Sequence, residues 1–365
     1  MSLGFWELPG PSTFAAEIER LVQGGESAAV VLPPGTPAGL GSLLGARARA
    51  EGRYWYSLSP GNAQPIAALA DLIALPPPCG AQAPRELARA LCATAVWIEG
   101  FSEERARPWV ELLTDFATAA RSEPAGAAGS LVLVLDPVTA VRCEIGLRVL
   151  KWRGRVRRED ALIHLADRSG NGNGSVEQQL RLAIAVELAG WDLELARRLA
   201  ERSLPELLRP ARILREEVQA RDWRKPAPKD RWAAGWSDHW RGSRFDHPAA
   251  LALEGKDPEL AQRVWKAELA VLFPLIEERR CALLPQLRPF LKAPIDTPTG
   301  RIETIEDLEI GQIWHQVRHS KLSAATKTRV MGLANMRRAL AHVEPIDPGD
   351  LCHAGMVDEA VLVAA

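Results

Sequence analysis

What most constrains this chain is a series of short apolar runs set between helix-compatible stretches in its N-terminal part. Residues 28–32 (AAVVL), 54–58 (YWYSL), 93–98 (ATAVWI) and 130–135 (SLVLVL) each read as a strand, and the last is closed by Asp136-Pro137. Helical patterns lie between them at 40–50, 65–75 and 105–121. Strands this apolar bury both faces, which predicts a parallel sheet with helices on either side. Beyond residue 140 the strand signal stops. Leu and Ala recur at spacings of three and four over 141–217, broken by the polar, glycine-rich stretch 169–175. Residues 221–244 (RDWRKPAPKDRWAAGWSDHWRGSR) read as a linker or irregular cap, helix resumes at 258–284, and a Pro-containing break at 292–300 precedes helices at 305–318 and 324–341. There is no internal repeat. The expected architecture is α/β plus α, with domains at 1–145, 146–220, 221–300 and 301–365.

Composition narrows the function. At 365 residues the chain exceeds one ordinary core. With 47% hydrophobic and 25% charged residues it is not a disordered protein. A formal net charge of −1 supplies no global field for nucleic acid or an anionic membrane, so either partner would need a local patch. Cys79, Cys92, Cys143, Cys281 and Cys352 are scattered, without a CxxC pair, and read as reduced thiols rather than zinc ligands. The N-terminus MSLGFWELPGPS lacks a signal-peptide pattern, and no apolar run approaches the roughly 20 residues that span a bilayer. A cytoplasmic protein with no membrane contact is expected. The twelve tryptophans, against two tyrosines, are placed mostly on helices as core residues.

The turn after the first strand carries the main functional argument. A phosphate-binding P-loop reads GxxxxGK[ST] between strand and helix, with backbone N–H groups around the phosphates, a lysine to neutralise them and a hydroxyl to hold magnesium. Here the strand leads into Pro34-Gly35-Thr36-Pro37-Ala38-Gly39-Leu40-Gly41. Gly39 survives, but Pro34 stands for the first glycine, Leu40 for the lysine and Gly41 for the hydroxyl. Pro34 and Pro37 also bring no N–H. Glu99, at the end of the third strand, occupies the place of a magnesium-binding carboxylate, although any strand reaching the surface can end in Glu. Gly35, Gly39 and Glu99 are thus the residues of a degenerate cofactor site, with no nucleotide cofactor and no ATP hydrolysis expected.

This order of elements, with Trp97-Ile98-Glu99-Gly100-Phe101 at one key strand and residues 131–137 at the next, resembles the inactive STAND-type NTPase domains of bacterial conflict systems over roughly residues 10–145. Residues 189–196 (AGWDLELA), Trp265 and residues 272–280 (LFPLIEERR) are similar to helical segments of such proteins. The resemblance implies a non-catalytic sensor, adaptor or scaffold in antiviral defence. It would act through protein–protein contacts with an effector or regulatory protein of the same operon, a protease or nuclease, and as a homo- or hetero-oligomer.

Two alternatives stand beside that reading. In Asn335-Met336-Arg337-Arg338-Ala339-Leu340-Ala341-His342, an Arg and a His five apart near a helix end are similar to the Arg-x4-6-His motif of HEPN domains, whose active members cleave RNA as dimers. The resemblance implies that Arg337 stabilises phosphate charge and His342 does acid–base chemistry. Arg338 stands where that family has Asn or another polar residue, and basic groups in a last helical turn also complement the helix dipole with no catalysis. The other alternative is a nucleic-acid-binding subunit using the basic run 151–158 (KWRGRVRR) and the arginines among Trp223, Trp232, Trp236 and Trp240. Glu159, Asp160, Asp222 and Asp230 favour internal pairing of those charges.

The remaining candidates are ordinary. His315 and His319 have a metal-sharing spacing but no HExxH glutamate, and read as a solvated pair. Asp238-His239 and Asp246-His247 lack a Ser or Cys in a nucleophile elbow. Cys281 after Arg279-Arg280 reads as an inert thiol. No metal site is expected.

Overall fold

The computed structural model describes residues 4–33, 35–100, 103–124, 127–142, 147–169, 174–220, 231–298 and 300–363. Pro34, Phe101, Cys143, Asp222, Trp223 and Asp230 lie outside the described residues. The chain divides into two units, Met1–Asp160 with Lys225–Phe245, and Ala161–Arg224 with Asp246–Ala365.

The first unit runs α1 (Pro9–Gln23), β1 (Ala28–Val31), α2 (Leu40–Ala50), β2 (Tyr54–Leu58), α3 (Pro65–Leu72), α4 (Ala83–Ala90), β3 (Thr94–Ile98), α5 (Glu103–Arg121), β4 (Ser130–Leu135), α6 (Pro137–Arg142) and β5 (Val149–Lys151). The five strands form one parallel sheet in the order β2-β3-β4-β1-β5. Val96 and Ile98 of β3, with Leu131, Leu133 and Leu135 of β4, face α3, α4 and α5 and build a core around Trp109, Leu113 and Phe116. Successive residues point to opposite faces, so Ala95 and Trp97 project to the other side, where α2 lies.

Several elements depart from the sequence expectation, among them strands within 237–246, read as a linker or irregular cap, and within 295–302, read as a Pro-containing break. Strand β5 lies where only helix was anticipated, because three residues are too few to declare a period of two, and it is fixed by pairing with β1. Helix α4 follows Pro76-Pro77-Pro78, a stretch that reads as loop. Its pattern of Leu87 and Ala88 inward with Arg85, Glu86 and Arg89 outward is two turns long.

The chain leaves β1 for α2 on one face, whereas it leaves the adjacent β4 for α6, whose Ala140 packs against the core of the opposite face. Neighbouring strands that send their connections to opposite faces open a crevice at their carboxyl ends, the usual ligand position in open α/β sheets. The turn after β1 and the Asp136-Pro137 turn after β4 flank that crevice.

The second unit is largely helical. It contains α7 (Arg158–Ser169, from Ala161), α8 (Val176–Ala189), α9 (Leu193–Ala200), α10 (Leu204–Leu208) and α11 (Ala211–Ala220). The hairpin of β6 (Ser237–Trp240) and β7 (Ser243–Asp246) belongs to the first unit up to Phe245; after it the second unit continues with α12 (Pro248–Leu253), the long α13 (Asp257–Leu287), a second hairpin of β8 (Ile295–Thr297) and β9 (Gly300–Ile302), then α14 (Ile310–Val317), α15 (Ala324–Ala341), α16 (Pro348–His353) and α17 (Glu359–Val363). Helix α13 packs along α8 and α15, and the Trp265 indole N–H donates to Leu340 O at 2.9 Å. Among the described residues no helix is long and apolar enough to cross a membrane.

Candidate functional site

Thr36 and Gly39 follow the carboxyl end of β1, Glu99 that of β3 and Asp136 that of β4, and tryptophan decides what the turn after β1 can do. Trp97, the fourth residue of β3, is 1% exposed and lies against the first turn of α2. A Cβ added to Gly41 would sit 2.7 Å from the Trp97 Nε1, and one added to Gly45 would sit 2.6 Å from the Trp55 Cδ1. Residues four apart share a helix face. The two glycines therefore form a flat strip on which the indoles of Trp55 and Trp97 lie, stacked with centroids 6.2 Å apart and planes 28° from parallel. Any side chain at either glycine would overlap an indole.

A second aromatic group holds the outer side of the turn. The Trp6 indole N–H donates to Ala38 O at 2.9 Å, and Trp6 packs edge-on against Trp152 with centroids 5.1 Å apart. Gly39, the residue before α2, has φ +100, a left-handed conformation that costs glycine nothing but strains other residues.

The polar groups of the crevice bond inward. Thr36 donates its hydroxyl to Pro33 O at 2.7 Å and its N–H to the same oxygen at 3.2 Å, closing the turn on itself. The Glu99 carboxylate accepts the Trp97 indole N–H at 2.7 Å. Asp136 accepts the N–H groups of Val138 at 2.9 Å and Thr139 at 3.0 Å and also the Thr139 hydroxyl, so it caps α6. The turn 35–41 contains no lysine or arginine. What remains toward an anion is the first-turn N–H groups of α2, a weak half-charge without a side chain to support it. Gly35 and Gly39 lie in the turn after β1, and Glu99 follows β3. The lock that surrounds them was not anticipated, because most tryptophans were assigned to helices, whereas Trp55 and Trp97 are on strands and Trp6 and Trp152 flank the turn. The signal that could have found it was the Gly41/Gly45 pair, two absent side chains on one helix face.

The other candidates are distributed as follows. The Arg337 guanidinium lies over the Phe273 ring, 4.9 Å from its centroid, while His342 is exposed at the end of α15. No hydrogen bond or ion pair among the described residues joins the two. His315 and His319 are both exposed, and the described residues contain no His, Cys, Asp and Glu cluster that could hold a metal. In the basic run, Arg155 forms a two-pronged pair with Glu17 at 2.7 and 2.9 Å, and Arg153 lies 5.7 Å from the Trp232 ring centroid. Trp236 and Trp240 are buried core residues instead of stacking platforms. Cys281 is exposed and receives a hydrogen bond from Arg280 at 3.6 Å.

Neither Asp-His dipeptide forms a dyad by itself. Asp238 is buried and accepts the N–H groups of Gly154 at 2.8 Å and His239 at 2.6 Å, and burial raises its pKa to about 6. His247, 2% exposed, approaches Asp192 at 3.2 Å through Nε2 and accepts the Ala249 N–H at 3.3 Å through Nδ1. Asp192 in turn caps α9 through the Leu195 N–H at 2.9 Å, so the pair joins two helix starts.

Comparison with protein-family models, with curated proteins and with solved structures finds no match.

Proposed function

We propose that this chain is a non-catalytic sensor or adaptor of a bacterial antiviral defence system, built on a STAND-type, P-loop NTPase-like domain that has lost its nucleotide chemistry and acting through contacts with an effector protein. The sheet order supports the reading: β4 lies between the strand that carries the turn and the strand that ends in Glu99, as in P-loop NTPases with an additional central strand. The observation that carries it is the Trp97 indole. It lies against Gly41, where a P-loop presents its hydroxyl, and it takes up the carboxylate that would face magnesium. Phosphoryl transfer depends on positioned cations around the γ-phosphate, and this turn supplies none. What the fold retains is a scaffold.

The test is genetic and biochemical together. In a bacterial host carrying this gene with its neighbours, deletion should abolish protection against phage, and Glu99→Gln should leave protection intact. Protection that survives the deletion would overturn the defence role, and protection lost with Glu99→Gln would overturn the non-catalytic one. RNA cleavage by the purified chain that disappears in His342→Ala would replace the adaptor by the ribonuclease.

A further inference from the structure

The two edges of the parallel sheet are not alike. Edge strand β5 is three residues long and ends in the exposed Lys151, which is how sheet edges are usually protected. Edge strand β2 is five residues, Tyr54-Trp55-Tyr56-Ser57-Leu58, with no charge and no proline. It carries both tyrosines of the chain, Tyr54 65% and Tyr56 36% exposed.

The hydrogen bonds of β2 define what its outer side offers. The Tyr54 N–H donates to Ala93 O at 3.2 Å, and Leu58 O accepts the Glu99 N–H at 3.1 Å. Residues 54, 56 and 58 thus turn their backbone groups toward β3. By alternation, Trp55 and Ser57 turn theirs outward. Those are two donors and two acceptors on residues two apart, with Tyr56 centred between them.

We infer that β2 is a self-association edge, on which a second copy of this chain docks its own β2 antiparallel about a twofold axis through Tyr56. In that register Trp55 of one copy lies opposite Ser57 of the other, and each such pair exchanges both of its backbone hydrogen bonds. Tyr56 meets its counterpart as a non-hydrogen-bonded pair, the arrangement in which side chains come closest, and Tyr54 lies opposite Leu58. The charges around the strand fit this occupant. Glu51 and Arg53 precede β2, whereas Ser59, Pro60 and Gly61 follow it, so the antiparallel register sets Arg53 opposite Ser59 and Glu51 opposite Gly61, with no like charges face to face. The outward groups satisfy one another in a closed dimer, and the two five-stranded sheets become continuous. The inference is independent of what the turn after β1 binds.

Sedimentation velocity on the full chain tests it, with charge reversal at the twofold axis. The wild type should sediment as a dimer of the 39.9 kDa chain at the higher concentrations of a dilution series. Tyr56→Lys and Tyr56→Glu should each be monomeric with unchanged circular dichroism, because each places like charges opposite one another. Mixing the two variants in equal amounts should restore the dimer, and Tyr56→Phe should retain it. A monomeric wild type would overturn the inference, as would a dimer that persists in Tyr56→Lys or a mixture that stays monomeric. Hydrogen exchange adds a second reading: the Trp55 and Ser57 amides should be protected in wild type and fast in Tyr56→Lys. Equal rates in both would contradict the edge as the contact.

Discussion

The parallel sheet and the helical unit handle ionisable groups in opposite ways. In the sheet, β1, β3 and β4 bury chiefly apolar side chains, and Glu99 is exposed just beyond β3, with its carboxylate against an indole and its N–H donating to Leu58 O. In the helical unit ionisable groups lie deep inside. Glu268 on α13 is 0% exposed, accepting the Ile346 N–H at 3.2 and 3.3 Å, and burial pushes its pKa up to about 8. Arg263, one turn earlier, donates to Asp246 O at 2.6 Å and Leu188 O at 3.4 Å, and burial lowers its pKa to about 10. The sheet and the turn after β1 are held by shape, with indoles on glycines. The helical unit is held by polar groups that specify which segment meets which, at a desolvation cost an apolar core avoids. Substitutions at the indoles on the sheet should therefore act through volume, and substitution of Glu268 should act through pH.

The largest effect should come from breaking the shape side. Trp97→Ala removes a fully buried indole and leaves Glu99 without its donor, which should cost about 3–5 kcal/mol of stability in chemical denaturation. If stability is instead unchanged, the indole is not what fixes the turn. The next effect concerns pH. The folded-state pKa of Glu268 lies above the ordinary carboxylate value, so the folded chain holds that proton more tightly than the unfolded chain. Its contribution is complete below the ordinary carboxylate range and is lost as pH rises through about 8. Glu268→Gln should match the wild type in mild acid and exceed it by on the order of a few kcal/mol near pH 9. Parallel stability curves for the two proteins would show that Glu268 does not titrate across that window.

The same contrast explains how much of the molecule was legible. Strands β1, β3 and β4 could be read from apolar runs because a strand buried on both faces leaves little polar interruption, exposed β2 was read from its aromatic residues, and α2 and α15 match their helical patterns at Leu40–Ala50 and Ala324–Ala341. Three-residue β5 exists only through its neighbour. The strand-turn-helix order placed Gly35 and Gly39 after β1 and Glu99 after β3, but the Trp97 lock needed the register of β3 against α2, which no local pattern encodes. In the helical unit, periodicity shows which face is inward and not which charges go with it. Nothing local marks Glu268 and Arg263 as buried, because their partners are Ile346, 78 residues away, and Asp246, 17 residues away.

Smaller effects sharpen the comparison further. Asp192→Ala deletes the cap of α9 and the partner of buried His247, and should cost about 1–2 kcal/mol by denaturant titration. Asp192→Asn, which keeps the capping oxygen, should lose less. The smallest effect belongs to Glu99→Gln: an exposed group outside the core should change stability by less than about 0.5 kcal/mol. A larger loss would mean that the carboxylate does more than accept the Trp97 N–H.

The most direct test of the closed turn is a titration of the purified full chain with a fluorescent ATP analogue and magnesium, followed by phosphate release. The account predicts no saturable, magnesium-dependent binding and no turnover above background, in wild type and in Glu99→Gln alike. Saturable binding with turnover that vanishes in Glu99→Gln would mean that the indole lock opens to admit a nucleotide, contradicting the account.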